Sequence, residues 1–541
     1  MKKKLNYTLP LLLALVVAFG MFVGARFTRS TGSMSDGDPE SLFQEVLMLV
    51  NREYVDQPNS KKLTQAAIEG MLKELDPHSA FIPAEEVKRS NEDLEGNFEG
   101  IGIEFNILND TIIVVTPISG GPSEQLGIHA GDRIVQIDGK KVAGVGFKNE
   151  NVFKSLRGKK GSEVVVTIYR PGNPKWTDYK ITRDKIPIYS VDASYMAEPG
   201  VGYIKVGRFA GTTMREFREG FEKLQQQGMQ NLIVDLRGNP GGYLQTAIEF
   251  AQQFLPNGKL IVYTQGRAKE KQVYESKEYS PFKGKVAVLI DEGSASASEI
   301  VSGAMQDWDR ALIIGRRSFG KGLVQEPYQL SDGSMLRLTI ARYYTPSGRC
   351  IQKSYKNGVE DYYEDFSRRI KSGELESKDS IKVIDSLKFY TKINKRLVYG
   401  GGGIVPDIFV PLDTSENSSY LNKLYNKGTF NEFVISYMDK HRTELTSTYK
   451  DFDAFDKQFD INKDLMDQFI KYGEKDGVKK DEKGLAVSSP FIKSQLKALF
   501  ARHLFKNDNY FQIINQTNKT YQKALDVFKD NTFDKMKIAS K

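Results

Sequence analysis

The chain has 541 residues, 40% of them hydrophobic and 27% charged, with a net charge of +8. That length exceeds one ordinary core, so several domains are expected, and the basic excess is spread along the chain, which argues against a nucleic-acid partner. A single cysteine (Cys350) and four scattered histidines (His78, His129, His441, His503) exclude a disulfide framework, a cysteine-based metal site and a zinc site, so no metal is expected.

In chain order, Lys2-Lys3-Lys4 precede an uncharged stretch, Leu5 to Ala25, with an apolar run at Leu11–Phe19. A positive start followed by about 20 apolar residues predicts insertion into or export across a membrane. Residues 1–27 are read as an uncleaved anchor, with a cleaved signal peptide as the alternative. Residues 28–40, rich in Ser, Gly and Asp, read as a linker. Apolar spacing predicts helices over Ser41–Tyr54 and Leu63–Leu75 in an N-terminal helical region, 41–90. The second helix stops at Asp76-Pro77-His78-Ser79, where His78 reads as a structural residue.

From 91 to 185 the pattern changes to short strands: Gly100–Phe105, Ile112–Val115, Arg133–Ile137 and Val164–Tyr169, with a helix at Asn149–Leu156. From 186 to 412 strand and helix alternate. Strands fall at Val201–Val206, Leu232–Leu236, Val286–Ile290 and Ala311–Ile314, with helices at Thr212–Gln227 and Tyr243–Leu255. A hairpin joins Leu323–Leu330 to Met335–Tyr343 across Ser331–Ser334. Residues 353–395 read as a charged surface insertion, and 413–541 as a charge-rich helical extension without a catalytic motif.

Three motifs carry chemistry. Asp291-Glu292-Gly293-Ser294-Ala295-Ser296-Ala297-Ser298-Glu299 reads as strand, small-residue turn and helix start. A serine there meets free N–H groups that favour developing negative charge, while the flanking serines read as caps. No histidine lies beside the motif, so the general base is sought in Ser318-Phe319-Gly320-Lys321-Gly322-Leu323-Val324-Gln325. A lysine acts as base only if apolar burial draws its value down from about 10.4 towards roughly 7–8. Gln325, on the same face if the segment is a strand, offers a neutral amide to orient it. The third motif is Asp235-Leu236-Arg237-Gly238-Asn239-Pro240-Gly241-Gly242. An acyl intermediate needs two N–H donors: Ala297 is one candidate, Gly241 or Gly242 the other. Glu299, three residues after Ser296, shares its helix face and is an auxiliary candidate.

The motifs Leu75–Ser79, Gly100-Ile101-Gly102-Ile103, the Asp-Leu-Arg-Gly-Asn-Pro-Gly-Gly turn, the Ser-Ala-Ser-Ala-Ser-Glu turn and Gly-Lys-Gly, in that order, resemble the carboxyl-terminal processing (tail-specific) serine peptidases. The resemblance runs from about Ser41 to Pro411. It implies an α/β multidomain protein: a crotonase-like (ClpP/crotonase) core over 186–412 with a PDZ domain inserted at 91–185. It implies Ser296 as nucleophile, Lys321 as base and Gln325 as the residue that orients the lysine. Gly100, Ile101, Gly102 and Ile103 correspond to the loop that binds a peptide's terminal carboxylate. The expected partners are protein substrates captured by their C-terminal tails and the membrane through the anchor; a homo-oligomer or an activating partner is left open. No cofactor is expected, and the place is the periplasmic side of a bacterial cell envelope. The alternatives are a catalytically inactive PDZ adaptor or chaperone of the envelope and an acyl-CoA enzyme on the same core.

Overall fold

The computed structural model describes residues 14–21, 38–173 and 175–538. Most of the expected membrane segment therefore lies outside the described residues; 14–21 are helical, and no described helix is long and apolar enough to cross a membrane. The chain divides into two units, 1–72 and 73–541. In the first, helices occupy Pro39–Glu53 and the stretch from Ser60 onward. Proline is favoured in the opening turn, where its missing N–H would have no helical partner, so the first helix starts two residues earlier than its apolar spacing suggests.

The second unit is built around a six-stranded sheet whose strands lie side by side in chain order: β1 (Val191–Glu198), β2 (Val201–Val206), β3 (Asn231–Asp235), β4 (Val286–Ile290), β5 (Leu312–Gly315) and β6 (Ile408–Phe409). β1 and β2 are antiparallel and every later pairing is parallel. Helices α1 (Thr213–Gln226), α2 (Leu244–Gln252) and α3 (Ala297–Asp307) connect the parallel strands. Alternate side chains enter two different cores. Ile204, Val206, Leu232, Val234, Val286, Val288, Ile290 and Ile313 pack against α1–α3. Tyr203, Ile233, Ala287, Leu289, Leu312 and Ile314 pack on the opposite face. Burial on both faces is why these strands read as unbroken apolar runs.

The cover for that second face comes from the C-terminal extension. Tyr521, Ala524, Leu525 and Val527 of α5 (Lys519–Lys529), with Phe533 and Ile538, complete the second core. The helix before it, α4 (Asn507–Thr517), lies against β1. Burying six such side chains is worth about 10 kcal/mol, comparable to the whole stability of a domain. Ending the chain at Leu412 is accordingly expected to yield insoluble or molten protein, read by loss of a cooperative thermal transition. The remaining extension has its own aromatic core, including Phe430, Phe433, Phe455, Phe469 and Phe500.

Residues 97–187 form the expected inserted domain. Its entry strand Asn97–Gly100 pairs with its exit strand Asp184–Pro187, so the insertion begins and ends at one place. Between them an antiparallel sheet and the helix Asn149–Leu156 enclose Ile112, Val114, Ile134, Val152 and Val166. Arg133 pairs with Asp439 at 2.6 Å, and Glu104 accepts from Arg502 at 2.7 and 3.0 Å, tying this domain to the extension. The hairpin Leu323–Gln329 with Met335–Tyr344 forms as expected.

The segment 353–395 is mostly exposed, as a charged surface insertion should be, but a few of its residues reach inwards. Tyr362 and Arg369 are buried, Arg369 donates to the carbonyls of Arg317 and Ser318, and Arg317 and Arg369 share Glu374.

Candidate active site

The three motifs leave the carboxyl ends of adjacent parallel strands: 236–242 after β3, 291–296 after β4 and 316–322 after β5. In open α/β sheets that edge is where ligands bind. Backbone bonds lace the turns together. The Asn239 carbonyl accepts from Ala295 N–H at 2.9 Å and from Ser298 Oγ at 3.0 Å. Asp291 Oδ1 accepts from Gly238 N–H at 2.8 Å, and Phe319 N–H donates to the Ser294 carbonyl at 3.0 Å.

The three serines of the second motif separate by burial. Ser294 and Ser298 are fully buried, while Ser296 is half-buried. The flanking serines do not cap α3. Ser294 Oγ donates to the Leu236 carbonyl at 2.8 Å and Ser298 Oγ reaches Asn239, so both stitch this turn to the β3 turn. Ser296 itself is the N-cap. Its φ of +53° lies in the left-handed half of the map, a cost of about 1–3 kcal/mol for a residue with a side chain.

Gly241 and Gly242 lie beside it. A Cβ on Gly241 would stand 2.7 Å from Ser296 Cβ and 2.9 Å from Ala297 N; one on Gly242 would stand 2.0 Å from the Phe209 carbonyl oxygen. Only glycine fits either place. Their amides differ, however. Gly241 N–H donates to Asn239 Oδ1 at 2.8 Å and is not free. Among the described residues, Gly242 N–H and Ala297 N–H have no acceptor.

Lys321 sits in the loop before the hairpin, which begins at Leu323, and a bulge falls between Val324 and Gln325. Simple strand alternation therefore does not set the geometry, yet Lys321 Nζ donates to Gln325 Oε1 at 3.2 Å. The Gln325 amide nitrogen donates to the His78 carbonyl, which turns Oε1 towards the lysine. His78 is held in turn: its N–H and that of Ser79 donate to Asp76 at 2.8 and 2.9 Å, and Nε2 meets Tyr362 Oη at 2.8 Å. The structural reading of His78 fits this arrangement, because its backbone carbonyl is what reaches the site. Burial pushes its imidazole down to about 4, leaving the ring neutral. Burial likewise draws Lys321 below its ordinary 10.5; the Arg337 charge adds to this, and Asp76 and Glu299 oppose it.

Glu299 turns out to be the hinge pin. It is fully buried, and its carboxylate collects four donors. Oε2 accepts from Ser296 N–H at 2.9 Å and Lys321 N–H at 2.8 Å; Oε1 accepts from Gly320 N–H at 2.7 Å and from Ser318 Oγ. One oxygen thus joins the backbones of Ser296 and Lys321. Burial raises this carboxyl to about 7 against the pull of those donors. Tyr343, fully buried, does the converse: its hydroxyl lies 3.0 Å from the Ser296 carbonyl and also meets the Lys321 carbonyl. Tyr343 is not among the site residues expected from the sequence; it is buried on its strand, where a hydroxyl must find a partner. The lysine ammonium's own hydrogen-bond partner is Gln325, and not the Ser296 hydroxyl.

In the inserted domain, Ser123 N–H and Oγ hold the Ile101 carbonyl at 3.1 and 2.6 Å, and Ile118 N–H holds that of Gly102 at 2.9 Å. In a trans peptide the N–H points opposite the C=O, so Gly102 N–H faces away from Ser123. Ile101 N–H is likewise without an acceptor among the described residues. Beside this loop, Ile103, Phe105, Val152, Phe153 and Leu156 line an apolar groove that Gly100 and Arg157 close.

Residues 200–364 match the model of peptidase family S41, 100–181 the PDZ domain, and 420–506 a family of unknown function, DUF8443. The chain is 37% identical over 312 residues to a "Probable CtpA-like serine protease" of Staphylococcus aureus (strain N315), covering 57% of this chain and 62% of that protein. The protein of the same name from Staphylococcus epidermidis (strain ATCC 12228 / FDA PCI 1200) is 40% identical over 309 residues, with the same coverages. Among solved structures, the photosystem II D1 C-terminal processing protease is 28% identical with a TM-score of 0.35, covering 68% of this chain and 92% of that one. The PDZ domain of a carboxy-terminal protease from Vibrio cholerae, solved with a peptide, is 35% identical, with a TM-score of 0.15, and covers 17% of this chain and 97% of that one.

Proposed function

We propose that this chain, a member of peptidase family S41 carrying a PDZ domain, is a carboxyl-terminal processing serine endopeptidase that works through Ser296 and Lys321. The observation that carries the reading is the meeting of a half-buried serine, two amides without an acceptor among the described residues and a half-buried lysine at one sheet edge.

In this reading neutral Lys321 Nζ takes the proton of Ser296 Oγ, which attacks the scissile carbonyl carbon. Negative charge moves to the carbonyl oxygen and rests on the N–H groups of Ala297 and Gly242; each such donor is worth about 2.7–4 kcal/mol. Gly241 contributes space rather than a proton. The lysine ammonium returns its proton to the departing amine as the C–N bond breaks, leaving an ester on Ser296. Water, deprotonated by the same lysine, attacks that ester, and Oγ recovers its proton. Gln325 keeps Nζ in line without a charge that would hold it protonated. The PDZ groove takes the substrate's C-terminal residues as an added strand, with the carboxylate on the Ile101 and Gly102 amides.

The test is cleavage of an unstructured peptide with apolar C-terminal residues, compared with its C-terminal amide. Charge-assisted bonds to a carboxylate are worth about 1.5–3 kcal/mol, so amidation is expected to lower kcat/KM about tenfold or more. Equal rates would remove the tail-binding role, and no cleavage of either peptide would remove the peptidase reading.

A further inference from the structure

The β3 turn is braced from outside the catalytic core. Arg237 precedes Gly238 and carries the turn's one long side chain, which is 15% exposed. On one side its Nε and Nη2 donate to Asp235 at 2.9 and 2.6 Å, and its own N–H donates to the same carboxylate at 3.0 Å. Asp235 is fully buried and also accepts from Tyr203 Oη at 2.6 Å. On the other side the guanidinium meets the junction of α4 and α5. Nη1 donates to Asn518 Oδ1, and Nη2 to Asn515 Oδ1 at 3.3 Å. Asn515 is buried and is fixed by its own Nδ2 donating to Tyr195 Oη at 2.9 Å. Lys205 Nζ holds the Arg237 carbonyl at 2.9 Å. The residue that starts the turn is thus clamped between the sheet and the helical extension, a few residues before the Gly242 amide.

We infer that Asn518, supported by Asn515, is a positioning residue for the reaction: through Arg237 the helical extension fixes the turn that presents the Gly242 N–H. The inference rests on the peptidase reading above. Losing Asn518 leaves a guanidinium N–H without a partner in a mostly buried place, and the fork must turn to find one. Such a rotation pulls on Arg237, whose backbone leads directly into Gly238 and Asn239. A donor displaced by a fraction of an ångström loses much of its worth to a developing oxyanion while leaving substrate binding alone.

Asn518 also caps α5, its Oδ1 accepting from Tyr521 N–H at 3.0 Å. Two variants separate the roles. Serine is an equally good cap but is too short to reach Arg237; aspartate keeps both contacts. The probe is a quenched-fluorescent unstructured peptide with apolar C-terminal residues and a free carboxylate, with full-length protein throughout. Asn518→Ser is expected to lower kcat about tenfold with KM unchanged, at a temperature where every variant is fully folded, and Asn518→Asp to stay within about twofold of the parent. Parent kcat in Asn518→Ser would overturn the inference. So would equal loss in both variants, or a kcat loss in Asn518→Ser that disappears as the assay is cooled further below its melting transition. If the parent itself cleaves nothing, the peptidase reading fails first and takes this inference with it.

Discussion

Replacing Lys321 by alanine is expected to lower kcat about 10²- to 10⁴-fold, the range of a general base, with KM and melting temperature nearly unchanged. Ser296→Ala is expected to lose more, about 10⁶-fold. The small stability effect follows from the site. Lys321 is a half-buried cation whose side-chain hydrogen bond, among the described residues, goes to a neutral amide, so removing it relieves a desolvation cost. Lys321→Arg is not expected to rescue, because a guanidinium stays charged and cannot take the serine proton. The sign of the pH dependence follows from the same burial. Because the folded value lies below 10.5, the parent rate should rise with pH through that lowered value and then level off. A rate with no rising limb anywhere below pH 10.5 would contradict lysine as the base.

Glu299→Gln is expected to cost about 100-fold in kcat, by displacement of groups rather than loss of one that reacts. All four donors at this carboxylate point inwards. A carboxamide offers one acceptor oxygen and two further N–H groups, so one pair of donors would face another donor. Either the Ser296–Lys321 link or the Gly320–Ser318 link must open. The linkage has a definite sign. The folded carboxyl sits near 7 instead of 4.5, so between those values the native state holds a proton that the unfolded chain releases. Glu299 therefore subtracts stability as pH rises through that window. Urea midpoints from pH 5 to 7 should fall with pH in the parent and fall less steeply in Glu299→Gln; parallel slopes would contradict the raised value.

The chemistry-bearing turns were legible because each is a short sequence event, a strand that runs out into glycine and small residues. The inserted domain was legible for the same reason, its loop, strands and helix appearing in a fixed order. What the residues could not reveal was long-range. Leu232–Leu236 and Val286–Ile290 say that both faces of their strands are covered, but not that α5 supplies one cover. Asp235 and Arg237 read as a turn, while the asparagines that brace the arginine lie about 280 residues away. Glu299 read only as an auxiliary candidate on the helix face of Ser296; three of its four donors come from a loop after the next strand. Gly241 and Gly242 looked equivalent until Asn239 was seen to occupy one amide. In 353–395, charge density pointed to solvent, which most of the segment meets, but could not reveal that Lys353, Arg369 and Glu374 turn inwards and pair beside the Lys321 loop.

The central claim, that Ser296 is a nucleophile activated by Lys321, is tested most directly by covalent labelling with a fluorophosphonate, followed by peptide mapping. This reaction needs the serine, its base and the oxyanion amides but no tail-binding groove. The account predicts a single adduct on Ser296, formed faster as pH rises, absent in Ser296→Ala and slowed at least 10²-fold in Lys321→Ala. An adduct on another residue, or labelling of Lys321→Ala at the parent rate, would contradict it.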